Sequence, residues 1–374
     1  MLNLESLSVK IADIDISGMI LSLTVFETIK GNIKGSFWIQ DNINFYDNLI
    51  THVTPYIAID FIYAGVSCNN VYQCDGITEM TITKMGKKYI VHFVALQTAD
   101  LNLTMINESY SGMSHHIIQS IYRESVDISQ SLLIDSAAIT KGRYNVPHIK
   151  AGEAIGNVLS CAYDVNSSAF CLYQRMFDQG AARLTTLQDM SKNYFFKNAT
   201  QPFELTNDAI DQESSATSTI GSSDEFKLEA FQKGFISKIS AGVYGNKINQ
   251  IGLDETETVK FKSIAATNNE ITKFRLSSKL YDNNVKSIFS TAEDPVAHAS
   301  RHERTRAYSQ MFRVNNTVAV PRLGCGFAVV VKVGGSNQSK SRQDTEYVIA
   351  NINHKFIIDD GSFKYAQDIG LIRA

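Results

Sequence analysis

From Leu7 to about Leu103 apolar residues recur at every second position, in LSVKIADI, LSLTVFE, GSFWIQD, YIAIDFIY, ITEMTITK and YIVHFVAL. Side chains two apart in an extended chain share a face, so each run buries one face and leaves the other wet, as in half-buried antiparallel strands. A helix cannot use that rhythm, because its apolar stripe needs spacings of three and four. Turn chemistry separates the runs: Lys30-Gly31-Asn32, Ala64-Gly65 and Met85-Gly86-Lys87. About six such strands in a hundred residues predict a small closed or nearly closed barrel.

After Leu103 the period changes. SHHIIQSIYRESV and AGEAIGNVLSCAYDV carry apolar residues at helical spacing, the second with Glu153 in its first turn. AFCLYQRMF, a turn centred on Gly180 and ARLTTLQDM return to alternation and predict a hairpin packed on those helices. Residues 204–225 are rich in Ser, Thr, Asp and Glu and read as a solvated joint between domains. Beyond it, KLEAFQKGFISKISAGVYG is β-like, and PVAHASRHERTRAYSQMF is helical, with Pro295 near its start and Asp294 as a cap.

The closing stretch from Thr317 is again β, and it echoes the first region. YQCDGITEMTITKMGKKYIVHFVAL and YVIANINHKFIIDDGSFKYAQDIGL, laid together without gaps, match Tyr72, Ile77, Ile82, Gly86 and Leu96 with Tyr347, Ile352, Ile357, Gly361 and Leu371. Each follows a strand ending at glycine, FIYAG or AVVVKVGG, with Pro55 or Pro321 at the strand entrance. The fold expected is α+β and mainly β: two similar antiparallel β-barrels with an inserted mixed α/β domain. Residues 1–104 form the first barrel, 105–225 and 263–306 the mixed domain, and 226–262 with 307–374 the second barrel.

Few residues invite chemistry. His298 and His302 have a metal-compatible spacing on a helix, but Ala299 stands where a metalloprotease needs glutamate, and Arg301 and Arg304 repel a cation. Ser114 in GMSHH fails as a nucleophile elbow because His116 stands where glycine is required, so His115 and His116 read as a helix start. Cys325, between glycines before FAVVV, reads as core, and Cys68 with Cys74, or Cys161 with Cys171, lack CxxC spacing. Asp13 with Asp15, Glu255 with Glu257, and Asp359 with Asp360 are outward or turn carboxylates. RHERTR and SKSRQ are short, acid-diluted basic clusters, and no nucleotide, metal or DNA-binding signature occurs. No catalytic, cofactor-binding or metal residue is therefore assigned, no cofactor is expected, and the chain reads as a non-enzyme.

Charge and cysteine content agree. The formal net charge of −3, from 35 basic and 38 acidic residues interleaved along the chain, gives no general attraction to nucleic acid or acidic membranes. Five cysteines without framework spacing read as reduced thiols. The acidic start MLNLESLSVKIADIDISG reads as a first strand rather than a secretory signal, and no apolar run approaches a membrane span.

The order of LSVKI, SLTVFETIKGNIKGSFWIQD, YQCDGITEMTITKMGKKYIVHFVAL, AGEAIGNVLSCAYDVNSSAFCLYQRMFD, RTRAYSQMFRVNNTVAVPRLGCGFAVVVKV and EYVIANINHKF resembles, over nearly the whole chain, the baseplate central hub proteins of T-even-like contractile-tailed phages, a family related to the spike-hub part of type VI secretion. The resemblance implies a homotrimer whose six similar barrels form a pseudo-sixfold ring in the tail baseplate of the virion, made in the host bacterial cytoplasm. One face would carry the threefold central spike, held by the middle domain of about 105–225, and the other the sixfold tail tube or its initiator. DNA would pass the channel without specific binding, and this chain would insert in no membrane. Two readings of other classes stand beside it: a tail-associated cell-wall hydrolase, which needs a convergent acid pair or a metal site, and a tail-tip glycan-binding module, which needs an aromatic platform.

Overall fold

The computed structural model describes residues 2–49, 55–84, 86–127, 130–198, 201–206, 225–228, 247–251, 285–289, 312–332, 345–359 and 362–372. Most of the expected joint 204–225, most of 226–262 and 263–306, the helix 295–311 with His298 and His302, and Glu255, Glu257, Asp360, RHERTR and SKSRQ lie outside the described residues.

The alternating runs become strands β1 (Ser6–Ile11), β2 (Ile20–Thr28), β3 (Gly31–Asp41), β4 (Tyr56–Tyr63), β5 (Val66–Thr83) and β6 (Gly86–Ala95). Their inward parity, from Val9 and Ile11 through Leu23, Val25, Ile57, Ile59 and Phe61 to Val91 and Phe93, fills one apolar cluster. The last run was expected to stay extended to Leu96. Instead Leu96–Leu103 is helix α1, which buries Gln97 and Leu101. The apolar residues at the two ends of LQTADLNL, Leu96 and Leu103, stand seven apart, which suits the helical period and not the alternating one.

The middle region holds helices α2 (Ser114–Ser125) and α3 (Ala151–Cys161) where the spacing places them, and an antiparallel hairpin of β7 (Phe170–Gln174) and β8 (Ala182–Thr186). Leu132–Ile134 joins β8 in parallel. Ile117, Ile118, Ile121, Ile155, Val158, Phe170 and Leu184 share a separate cluster. LQDM leaves the expected strand and forms helix α4 (Leu187–Lys192), because the Thr186 side chain caps it by accepting from Asp189 N–H at 3.3 Å.

The chain closes with β9 (Glu225–Leu228), β10 (Phe312–Val318), β11 (Ala328–Lys332), β12 (Thr345–Asp359) and β13 (Ser362–Ile372). Val329, Ile349, Ile352, Ile369 and Leu371 belong to a further apolar cluster with Ile29 and Cys171.

The fold is thus α+β and mainly β, with antiparallel pairing dominant. The two β regions are joined, through pairing of β2 with β12, in one 14-stranded sheet whose main path runs β9-β10-β13-β12-β2-β3-β6-β5-β4-β1. Along it one order occurs twice: β5-β6-β3-β2, then β12-β13-β10-β9. The hairpin β4–β5 corresponds to β11–β12, each antiparallel. The gapless match is one residue out at the turn, since Gly86 pairs with Thr83 whereas Ser362, not Gly361, pairs with Asp359. Bulges in β5, at Cys74/Gly76 and Thr78/Thr81, absorb such differences. The N-terminal strand touches two neighbours. Ser6–Ile11 pairs with β4, while Leu2 and Asn3 pair with Tyr365 and Lys364 of β13.

Candidate functional site

Among the described residues, those selected from the sequence scatter, and none forms a reactive constellation. Ser114 is fully buried, its hydroxyl 2.8 Å from Thr140 Oγ1, so it opens α2 from inside the fold. His115 Nδ1 accepts from Ala138 N–H at 3.1 Å, and burial followed by the neighbouring His116 holds its imidazole below the ordinary value. Asp13 and Asp15 sit at the Ala12–Asp15 turn, where hydrogen bonds from Ser17 lower the Asp15 carboxyl. All five cysteines are free thiols. Burial pushes Cys68 up to about 12 and Cys325 well above its usual range, so neither is a nucleophile. Among the described residues no group of three or more His, Cys, Asp and Glu side chains is placed to hold a metal ion, and no helix is long and apolar enough to cross a membrane.

The chain does build one dense polar centre, where its apolar clusters meet. Along β2 the inward parity runs Leu23, Val25, Glu27, so a carboxylate occupies a core slot and is fully buried between Val25 of the first cluster and Ile29 of the second. A buried carboxylate is tolerated only when hydrogen-bonded. Glu27 Oε1 accepts from Met176 N–H at 2.6 Å and Oε2 from Cys325 N–H at 3.0 Å, which ties β2 to the segment after β7 and to the loop before β11.

The neighbouring strand repeats the device. His354 on β12, paired with Val25, lies between Ile352 and Phe356 and is fully buried. Its Nε2 stands 3.1 Å from Glu27 Oε1, but the ring N–H is not aligned on the carboxylate. On its other side Nδ1 lies 2.7 Å from Tyr365 Oη, which itself accepts from Gln367 Nε2 at 3.0 Å. Which of the His354 and Tyr365 groups donates in this pair depends on the imidazole tautomer. Gln367 also accepts from Val320 N–H at 2.8 Å. Burial raises the Tyr365 phenol well above its usual value, so it stays protonated.

Arg175 completes the centre. It is 3% exposed, donates from Nε to Cys325 O at 2.7 Å and from Nη2 to Tyr173 Oη at 3.2 Å, and lies 3.7 Å over the Phe327 ring. Gly326 has φ +77, and a Cβ there would collide with the Tyr173 hydroxyl. Two bonds run to Met176 O, from Asn70 Nδ2 at 2.8 Å and Cys68 Sγ at 3.4 Å, and Tyr63 Oη donates to Ala319 O at 3.0 Å. The centre is buried and its groups, His354 Nε2 apart, are hydrogen-bonded to one another or to backbone, which suits it to locking segments together. Sequence reasoning passed over Glu27, His354, Gln367 and Arg175. For the first three a signal existed: a polar residue at the apolar parity of a strand, in LTVFET, INHKF and YAQDI.

Neither protein-family models nor curated proteins match the sequence. Solved structures do match the fold. A 43 kDa tail protein of prophage MuSo2 from Shewanella oneidensis superposes with a TM-score of 0.60 at 13% identity, covering 98% of both chains. A tail protein from Neisseria meningitidis MC58 gives 0.58 at 9% identity, over 98% of this chain and 96% of the other. An Escherichia coli component of the type VI secretion system, described as structurally similar to T4 bacteriophage tail proteins gp27 and gp5, gives 0.52 at 11% identity, over 98% of this chain and 76% of that one. The chain therefore has the fold of phage tail proteins. These neighbours are described as phage tail proteins and a type VI secretion component.

Proposed function

We propose that this chain is a non-enzymatic structural subunit of a contractile phage tail, a baseplate hub that forms a homotrimeric, pseudo-sixfold ring. Its two barrels, one per repeat, join a threefold spike on one face to a sixfold tube on the other and line the ejection channel. The N-terminal strand, shared between β4 and β13, supports closure of the first barrel.

The observation that carries this reading is one half-open edge. In β12 the first part pairs with β11 and the rest, Asn351–Ile357, pairs with β2 of the preceding repeat. In β5 the first part, Val66–Gln73, pairs with β4. Among the described residues no strand pairs with 75–82 on that side. This edge is rich in β-formers, and Met80 and Ile82 are 40% and 78% exposed. An uncovered edge of this kind invites another strand. In the repeat, the equivalent of β2 is β9. Pairing of β9 in one copy with residues 75–82 of the next would continue the seam head to tail, and a heterologous contact of fixed rotation closes into a ring. Six equivalent repeats in three copies give the symmetry match.

Light scattering on the purified full chain tests the reading, with proline at Thr81 and, separately, at Ile82. Strand alternation puts one of the two N–H groups on the open edge, where proline cannot donate. A trimer that one of the two variants reduces to monomers of unchanged circular dichroism supports the ring. A stable monomer in the parent chain, mixed with a spike and a tube protein, refutes it. Turnover of purified peptidoglycan, abolished by one carboxylate substitution, would replace it with the hydrolase reading.

A further inference from the structure

We infer that the strand Lys141–Asn145 receives an extended, acidic segment of a partner protein by strand addition at its open edge. Among the described residues this strand pairs on one side only, antiparallel with Ser109–Met113, in a two-stranded ribbon that leads into α2. Two strands make a marginal sheet, and a third adds a row of ladder bonds.

The ladder determines which groups face that edge. Ser114 N–H donates to Thr140 O at 2.9 Å, and Val146 N–H donates to Glu108 O at 2.8 Å. In an antiparallel pair such bonds fall on every second couple, so within the ribbon they join Tyr110 with Tyr144 and Gly112 with Gly142. The N–H and C=O groups of Lys141, Arg143 and Asn145 therefore point away from Ser109–Met113. On the same side and two residues earlier, Ile139 N–H is already taken by Tyr163 O at 3.1 Å. From 141 to 145 no strand among the described residues occupies that side.

The side chains select the occupant. Lys141, Arg143 and Asn145 share a face with Ser109, Ser111 and Met113, and all six are exposed. That face carries two cations and no carboxylate. Glu108 and Glu124 belong to the other parity, the first opposite Val146 beyond the ribbon's end and the second accepting from Tyr110 Oη. Lysine and arginine at an open edge keep like edges apart, and the same two charges admit a strand that carries acids. Residues of an added antiparallel strand opposite Lys141 and Arg143 lie two apart on the exposed face, with their own N–H groups toward the edge. The matching segment is therefore extended and reads acid, any residue, acid. The edge 75–82 and β9, used in the proposed ring, are other strands, so the inference does not depend on the ring.

The test titrates the full chain into fluorescein-labelled Thr-Val-Glu-Val-Glu-Val-Thr, followed by fluorescence polarisation. Beside it run the same peptide with both glutamates replaced by lysine, and a third with both glutamate backbone nitrogens methylated. The glutamate peptide should saturate and bind at least about tenfold more tightly than the lysine peptide, with a smaller difference at about 0.5 M salt, where exposed charges are screened. Methylation keeps the charges and removes the ladder donors, so binding should be lost. The double variant Lys141→Glu, Arg143→Glu changes exposed side chains and should melt like the parent while preferring the lysine peptide. No saturation, equal binding of the glutamate and lysine peptides, undiminished binding of the methylated peptide, or a double variant that keeps the glutamate preference overturns the inference. So does a change in oligomeric mass on making the double variant, which would assign the edge to a contact between copies.

Discussion

Replacing Glu27 with glutamine keeps the size of the side chain and removes its charge and one acceptor. The carboxylate now accepts Met176 N–H through one oxygen and Cys325 N–H through the other. An amide can serve only one of them, and its NH2 group is turned toward the second donor. A buried donor left without a partner costs about 1–3 kcal/mol, and a hydrogen bond to a charged acceptor is worth about 1.5–3 kcal/mol. A loss of about 2–3 kcal/mol is expected, a large fraction of the 5–15 kcal/mol that typically separates folded from unfolded states. Because the loss is local, it should appear first in hydrogen exchange. Amides in peptides covering Met176 and Cys325 should exchange roughly 30- to 100-fold faster, since about 1.4 kcal/mol is tenfold. Peptides of α2 and α3, in their own cluster, should change little. Unchanged protection at Met176 and Cys325 in a folded Glu27→Gln protein would refute the view that this carboxylate holds the segments together.

Two further outcomes follow from the same centre. Gly326→Ala introduces a Cβ against the Tyr173 hydroxyl at φ +77, so it should lower the denaturation midpoint by an amount equivalent to about 2–3 kcal/mol, measured in urea. A loss below about 0.5 kcal/mol would contradict the packing. The Cys68 thiol, raised by burial to about 12, is protonated in the fold and more acidic when unfolded. Its contribution is therefore complete below the unfolded thiol value of about 8.5 and is lost as pH rises toward 12, by up to about 1.4 kcal/mol per pH unit. Stability measured from pH 8 to 11 should fall less steeply in Cys68→Ala than in the parent, and parallel curves would show that the thiol is not buried.

Much of the β architecture was legible because period two is a local property of each strand. Leu23, Val25, Ile57, Ile59, Val91 and Phe93 face inward as the alternation requires. The helices at Ser114 and Ala151 and the hairpin around Gly180 were legible for the same reason, each carrying its own period or turn. Three things were not. LQTADLNL and LQDM follow strands without a polar break, and cap and packing decided them. The seam between β2 and β12 joins residues more than three hundred positions apart, so no window of sequence contains it. The polar centre was hidden because a lone Glu or His on a strand is usually outward, and only its parity marks it as inward.

That parity also explains why the centre is polar. Two repeats of one strand order can slide along their seam by two residues and still bury apolar faces, so hydrophobic pattern alone leaves the register weakly specified. Glu27, His354 and Gln367 remove the freedom. In the observed register Val25 opposes His354 and His354 opposes Gln367, while Glu27 reaches the amides of Met176 and Cys325. A slip of two would place His354 opposite Leu23 or Glu27 and carry the carboxylate away from one or both amides. A buried charge stripped of its partners costs about 3–5 kcal/mol, more than most single contacts contribute. An apolar core of equal volume could be as stable, but it would not penalise the wrong register. In the proposed ring the angle between repeats must be the same at every seam for three copies to close, and a seam held in one register meets that demand.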